Sequence, residues 1–213
     1  MARIKMIAFD LDGVLFKAKE IHYVALRDAL KEVVGFEHTL DQHMRLDGLS
    51  TRVKLELLAK GECPALNDED TKELVHKAKQ RNTEDLIIKT VVADNRLCEV
   101  LAEIKSKYAL KFCVVSNAIY SSVENIISQL GLLSLMDFIV SNQSVCHNKP
   151  HAEPYIVALV SGGVFPWECI VFEDKELGKQ SAMGAGCHCF MVKGPDDLTV
   201  DFIEEKLLEC ETV

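Results

Sequence analysis

The chain has 213 residues, 48% hydrophobic and 27% charged, enough to bury one substantial core, or a core carrying a modest insertion. Its 33 acidic residues against 24 basic ones leave a formal net charge of -9, which opposes a counterion-releasing grip on nucleic acid or anionic lipid. No apolar run approaches the roughly 20 residues of a membrane helix. The stretch from Met1 to Asp10 is interrupted by Lys5 and ends in a carboxylate with no small-residue cleavage site after it, unlike a secretory signal. A cytoplasmic monomer with no nucleic-acid or membrane partner is the expectation.

In chain order, Ile4 to Phe9 forms the first β-rich run and ends at Asp10-Leu11-Asp12-Gly13-Val14. Two carboxylates two residues apart repel unless a cation lies between them, and a hard divalent ion such as Mg²⁺ is the natural third party. The same D-x-D-G is also a common strand-to-turn signal. From Gly13 to Asn95 there are roughly 80 residues where a crossover needs only about a dozen. Helical patterns fill that stretch: Ile21 to Val34, Leu40 to Leu46, Thr51 to Lys60, and Asn67 through Thr90, whose Asn67-Asp68-Glu69-Asp70 start resembles a cap with an acidic first turn. An all-helical domain over residues 17–93 is therefore expected, inserted into a core formed by 1–16 and 94–213.

After the insertion, strands and helices alternate. Leu97, Val100, Leu101 and Ile104 mark a helix, and Lys111 to Val115 a strand. Val123, Ile126, Ile127 and Leu130 mark a second helix ended by Gly131, and Phe138 to Val140 a weaker strand. Ile156, Leu159 and Val160 mark a helix ended by Gly162-Gly163, followed by strands at Cys169 to Phe172 and Cys187 to Val192 and a last amphipathic helix from Thr199 to Cys210. Alternation of this kind implies an α/β fold, a doubly wound, Rossmann-like parallel sheet that binds ligands at the carboxyl ends of its strands.

Two further strand ends and one loop carry polar groups. Val114-Val115-Ser116-Asn117 offers a hydroxyl and backbone N–H groups, suited to a phosphate or to an ordinary helix cap. Asn148-Lys149-Pro150 places a lysine in a loop before a helix starting near Pro154, where a lone lysine is otherwise solvated. Val171-Phe172-Glu173-Asp174 is followed by Gly178 and the small residues Ala182, Gly184, Ala185 and Gly186. The eight cysteines include no C-x-x-C pair, so they are expected to be reduced, with Cys113 and Cys169 as small core hydrophobes. Cys187-His188-Cys189 would send its sulfurs to one strand face and its imidazole to the other, which does not make a metal site.

In this order and at these places, the four groups resemble the motifs of the haloacid dehalogenase superfamily over essentially the whole chain. Asp10-x-Asp12-Gly13 is similar to its first motif, Ser116-Asn117 to its second, Lys149-Pro150 to its third, and Glu173-Asp174-x-x-x-Gly178 to its fourth. The helical insertion resembles the cap of phosphoglycolate phosphatases, small sugar-phosphate phosphatases and β-phosphoglucomutase. The resemblance implies that Asp10 is the nucleophile, Asp12 the general acid and base, and Ser116 and Lys149 catalytic stabilisers of the transferred phosphoryl group, with Asn117 binding substrate. It implies Mg²⁺ held by the Asp10 carboxylate, the Asp12 carbonyl and Asp174, with Glu173 nearby. Asp12 argues for phosphate-ester chemistry, since the superfamily's dehalogenases and phosphonate hydrolases lack an acid there.

The chain departs from that pattern at Lys17-Ala18, where relatives often carry Asp-Ser or Asp-Thr, at Asn95-Arg96 in place of Pro-Gly, and at Lys175 in place of Ser. In the insertion, Leu46-Asp47-Gly48-Leu49-Ser50-Thr51-Arg52 resembles a substrate-selecting loop, with Arg52 as a contact; its alternative is a helix start with Ser50 as cap and Arg52 solvated. His22 falls where β-phosphoglucomutase has a functional histidine, or is a satisfied helix residue, and Arg81-Asn82 falls near another of that family's pairs. The expected function is an Mg²⁺-dependent phosphatase acting on a small phosphorylated metabolite through an aspartyl-phosphate. A phosphosugar mutase is the alternative, and a catalytically silent binding or regulatory protein a third.

Overall fold

The computed structural model describes residues 4–47 and 49–211, and its contacts divide the chain into two compact units, Met1–Lys17 with Val92–Val213 and Ala18–Val91. The larger unit holds β1 (Met6–Phe9), β2 (Lys111–Val115), β3 (Phe138–Val140), β4 (Cys169–Glu173) and β5 (His188–Met191), all parallel in the order β3-β2-β1-β4-β5. The first strand in sequence is thus the central one. Its four residues are fully buried because helices cover both faces of a parallel sheet. The strands match the sequence pattern to within two residues at either end, with Ile4 and Lys5 before β1 and Cys187 before β5.

Side-chain alternation divides the core into two layers. Met6, Ala8, Cys113, Val115, Cys169 and Val171 pack on one face with Tyr155 and Ala158 of α7 (Glu153–Gly162) and Ala182 of α8 (Glu176–Gly184). On the other face Phe9 meets Phe112 edge-on at 5.3 Å and stacks on Phe172 at 5.8 Å, and Phe172 reaches Phe202 of α9 (Val200–Glu211) at 5.8 Å. On that same face Lys105 of α5 (Asn95–Tyr108) lies over the Phe112 ring. A left-handed Ala109 ends α5, and α6 (Tyr120–Gln129) follows β2. All eight cysteines are unpaired, and Cys113, Cys169 and Cys187 are buried apolar residues of the sheet core.

The helix after β3 differs from its expected face. Of Ile156, Leu159 and Val160, only Leu159 is buried; Ile156 and Val160 are 44% and 76% exposed, while Tyr155 and Ala158 point inward. The run Pro154-Tyr155-Ile156-Val157-Ala158-Leu159-Val160 is apolar on every side, so its periodicity does not identify the packed face.

The smaller unit contains α1 (Lys19–Val34), α2 (Leu40–Arg45), α3 (Thr51–Gly61) and α4 (Glu69–Thr90). Its helix boundaries have local causes. Gly35 closes α1 at a φ of 66°, Thr39 and Gln42 form a reciprocal cap on α2, Ser50 caps α3, and Asp68 accepts from the Thr71 N–H at 2.8 Å to start α4. Leu26, Leu30, Leu55, Leu58, Leu66 and Val75 form this unit's own core. The unit also buries His38 and His43, two histidines the sequence pattern does not single out. Burial, then the neighbouring Lys54 and His38, push His43 down to about 4. Among the described residues no helix is long and apolar enough to cross a membrane.

Phe172 joins three aromatic contacts at the sheet centre. Phe172→Ala should therefore cost about 3 to 5 kcal/mol, read as a lower midpoint in thermal unfolding.

Candidate active site

Each polar group expected at a strand end lies where a buried strand stops. Asp10 follows β1, its backbone N–H donating to the Phe172 carbonyl at 3.0 Å, and it is only 9% exposed. Ser116 follows β2, with its N–H on the Val140 carbonyl at 2.9 Å. Glu173 is the last residue of β4 and Asp174 the next. The sheet register sets these groups side by side, because Phe9 pairs with both Val114 and Phe172.

Lys149 ties the cluster together. Its Nζ donates to Asp10 Oδ1 at 2.7 Å, Glu173 Oε1 at 2.6 Å and the Val115 carbonyl at 2.8 Å, with the side chain only 6% exposed. Burial works against the ammonium, but Asp10 and Glu173 outweigh it and hold Lys149 above its ordinary value. The loop that carries it is fastened by Asn117, whose Oδ1 accepts from the Lys149 N–H at 3.1 Å while its Nδ2 donates to the Lys149 carbonyl at 3.3 Å. The Ser116 Oγ accepts from the Ala118 N–H at 3.2 Å, forming a small turn of hydroxyl and backbone amides beside the cluster.

Tyr155 belongs to the same network, although nothing in the sequence pattern marked it. Its hydroxyl donates to Glu173 Oε1 at 2.5 Å, and its ring lies 5.0 Å from the Lys149 ammonium. A buried tyrosine needs a partner for its O–H, but its burial was not readable in a run apolar on every side. Burial, then Glu173 and Asp10, raise its hydroxyl well above the usual value.

Two glycines let the backbone approach these acids. Gly13 has a φ of +97°, and a Cβ there would lie 2.0 Å from Asp174 Oδ2; a Cβ on Gly178 would lie 2.0 Å from Glu173 Cδ. At both positions a larger residue would displace a carboxylate. Asp12 bridges to Phe16 across the turn after β1, and the Gly13 N–H donates to the Phe16 carbonyl at 2.7 Å.

The electrostatics of the cluster are lopsided. Lys149 pairs with Asp10 and Glu173, and Asp12 adds to the negative charge that Asp10 faces. Burial first, and then Glu173, push Asp10 up to about 8, with Lys149 pulling against them. Carboxylate oxygens of Asp10, Glu173 and Asp174 lie within 4.8 Å of one another. A donor set of oxygens alone, with excess negative charge, fits a hard divalent cation such as Mg²⁺. Glu173 already serves two donors through one oxygen, which leaves Asp10 and Asp174 as the better placed ligands.

The residues expected from the insertion all belong to the helical unit. His22 is half-buried on α1. Arg52, in the first turn of α3, has a side chain 77% exposed, with Nη2 3.8 Å from Glu73, and Ser50 caps the helix before it. Arg81 forms a two-pronged ion pair with Glu32 at 2.9 and 2.7 Å, and Asn82 donates to the Ala25 carbonyl. Gly48, within the expected selecting loop, lies outside the described residues. Two departures from the motif pattern have structural uses: Lys17 pairs with Asp196, and Arg96 donates to the carbonyls of Pro195 and Leu198.

Residues 7–192 match the family model of the haloacid dehalogenase-like hydrolases. The chain belongs to that family. It is 29% identical over 185 residues to the phosphorylated carbohydrates phosphatase of Thermotoga maritima, covering 86% of this chain and 82% of that one. It is 24% identical over 220 residues to the β-phosphoglucomutase of Bacillus subtilis, covering 95% of each. The fold is that of the β-phosphoglucomutase from Clostridium difficile, with a TM-score of 0.82 at 24% identity over 99% of this chain and 100% of the other. Family membership and these relatives support phosphatase or phosphomutase activity, and family members generally use Mg²⁺.

The raised Asp10 carboxyl gives a signed expectation for stability without metal. Between the ordinary value of 3.8 and about 8, the folded protein keeps a proton that the unfolded chain has lost, so stability falls as pH rises through that window. Asp10→Asn removes this loss. In EDTA the unfolding midpoint of the variant should gain on that of the original chain from pH 5 to 8, and Mg²⁺ should narrow the gap. A constant difference across that range would remove the titration of Asp10 from the account.

Proposed function

We propose that the chain is an Mg²⁺-dependent phosphatase that hydrolyses a small phosphorylated metabolite through an aspartyl-phosphate on Asp10. The observation that carries this reading is the convergence of Asp10, Lys149, Glu173 and Asp174 at the ends of β1 and β4, with Lys149 Nζ 2.7 Å from Asp10 Oδ1. A buried nucleophilic carboxylate beside a fixed cation suits an anionic phosphoryl group better than a neutral substrate.

In this reading an Asp10 carboxylate oxygen attacks phosphorus, the bond to the ester oxygen breaks, and Asp12 gives that oxygen its proton. Asp12, now a carboxylate, takes a proton from water as the water attacks the aspartyl-phosphate, releasing inorganic phosphate and restoring Asp10. Lys149, the Ser116 hydroxyl and the Asn117 backbone N–H stabilise charge on the transferred group. Asp10, Asp174 and the Asp12 carbonyl, with Glu173 nearby, would hold Mg²⁺, which would supply Lewis-acid stabilisation of the phosphoryl oxygens. Glu173 and Tyr155 act as positioning residues, since their contacts are with Lys149 and with each other.

A phosphosugar mutase is a second reading, favoured by the match to a β-phosphoglucomutase along 95% of both chains. It needs the same groups, with a sugar hydroxyl in place of water as the second acceptor. Phosphate release from a panel of phosphorylated sugars, phosphoglycolate and nucleotides, with Mg²⁺ and with EDTA, tests the enzyme. Release is expected with Mg²⁺ alone, and no turnover of any ester would remove the catalytic reading. Incubation with β-glucose 1-phosphate, Mg²⁺ and a trace of the 1,6-bisphosphate separates the two enzymes. Free phosphate is expected, whereas rapid formation of glucose 6-phosphate without it would make the chain a mutase.

Asp10→Asn should abolish phosphoryl transfer while the protein stays folded, as checked by phosphate release and circular dichroism. Substrate contacts by Arg52 and His22 are part of the proposal. Arg52→Ala should raise KM for the metabolite turned over best by about tenfold to a hundredfold, from loss of a charge-assisted contact. KM for a small aryl phosphate should change far less, and equal effects on both would return Arg52 to solvent.

A further inference from the structure

A second cluster of ligating side chains lies on the loop that carries Lys149, and the reaction proposed above does not use it. His147, His151 and Glu153 bring two imidazole nitrogens and a carboxylate oxygen within 4.8 Å of one another. The Nδ1 atoms of His147 and His151 lie 2.8 and 3.9 Å from the same oxygen, Glu153 Oε2, and the two rings are 4.7 Å apart between centroids. The Glu153 N–H donates to His151 Nδ1 at 3.1 Å, a bond to that nitrogen's lone pair that an ion bound through it would replace.

The carboxylate is oriented from behind. Glu153 Oε1 accepts from the Cys146 N–H at 2.8 Å and Oε2 from the His147 N–H at 2.9 Å. Fixing a ligand through its outer hydrogen bonds is how proteins prepare metal sites. Both rings are largely exposed, 67% and 56%, while Glu153 is 25% exposed, so an ion can enter from solvent without displacing the core.

We propose that His147, His151 and Glu153 form a second metal site, selective for zinc and similar borderline cations and separate from the acidic cluster at Asp10. Two nitrogens and one oxygen suit Zn²⁺, with water completing a four-coordinate shell, and suit Mg²⁺ poorly because Mg²⁺ prefers oxygen. His147 and His151 stand two residues before and two after Lys149 and Glu153 opens α7, so a bound ion would tie the ends of the segment that holds the ammonium at Asp10. The proposal uses only the geometry of this loop and does not depend on the reaction assigned to the chain.

The test titrates the full chain with Zn²⁺ by calorimetry, in saturating Mg²⁺ and on an Asp174→Asn background that weakens the acidic cluster as a competing site. One equivalent is expected to bind in both. The His147→Ala/His151→Ala variant should lose affinity by at least tenfold to a hundredfold, the range that outer-shell partners alone contribute. The unfolding midpoint of the Asp174→Asn protein should rise with Zn²⁺ concentration. With both imidazoles replaced on that background the midpoint should stay put, and its metal-free value would confirm folding. Co²⁺ in place of Zn²⁺ should give a visible absorption band that the double variant lacks. Undiminished Zn²⁺ binding in the double variant, or no zinc-dependent stabilisation with both imidazoles present, would overturn the site.

Discussion

The larger unit is organised around one buried ammonium. Lys149 places its three protons on Asp10, Glu173 and the Val115 carbonyl, and a lysine so deeply enclosed is tolerable only with such complete pairing. Pairing on this scale requires three chain segments to end at one point. The parallel sheet brings them there: β1 delivers Asp10, β2 the Val115 carbonyl and β4 Glu173. Burial first, and then the neighbouring Glu173 carboxylate, raise the Asp10 carboxyl against the pull of Lys149, and the converging oxygens of Asp10, Glu173 and Asp174 fit a divalent ion. Strand register, lysine placement and the geometry of the acidic cluster are therefore linked: moving a strand end by one residue would turn an acid towards a hydrophobic layer and leave the ammonium short of a partner.

Precision in the loops comes from small, specific devices. Gly13 gives Asp174 room that any side chain would fill, and Gly178 does the same for Glu173. Asn117 holds both backbone groups of Lys149, so the β2 end positions the lysine loop as well as offering its own amides. That double hold matters because Lys149 reaches the cluster from a loop, where a strand could have supplied rigidity directly. Tyr155 completes the arrangement by occupying a lone pair of Glu173 and covering the ammonium with its ring, which keeps bulk water from the far side of the pair.

Much of this was legible in the sequence because strand ends are punctuated. A short buried run followed by Asp10-x-Asp12-Gly13, by Ser116-Asn117 or by Glu173-Asp174 gives both the end of a strand and the chemistry placed there. Capped helices were legible for similar reasons: Asp68, Ser50 and Thr39 each accept a backbone N–H where the pattern expected a start. The face of α7 was not, since a run apolar on every side carries no periodicity, and the burial of Tyr155 was hidden with it. His38 and His43 were equally silent, because burial of a histidine in a helical unit depends on tertiary packing and leaves no local mark. The His147, His151 and Glu153 cluster was missed although His147 and His151 have the three-residue gap common between zinc ligands; the fold adds the Glu153 carboxylate beside them.

The relation between hydrolysis and phosphoryl return to a sugar follows from the same economy. A nucleophilic carboxylate, an acid two residues away, a fixed ammonium and a site for a divalent ion are required by both reactions up to formation of the aspartyl-phosphate. Their difference lies in the second acceptor alone, since water reaches the intermediate in one reaction and must be kept from it in the other. Keeping water out calls for contacts to the part of the substrate that does not react, which the core cluster, built of acids and one lysine, does not supply. Relatives with the same fold can thus be named as a carbohydrate-phosphate phosphatase in one case and a β-phosphoglucomutase in another. The choice between them must be written in residues beyond the strand ends, where the sequence has the freedom to diverge without disturbing the buried pairing of Lys149.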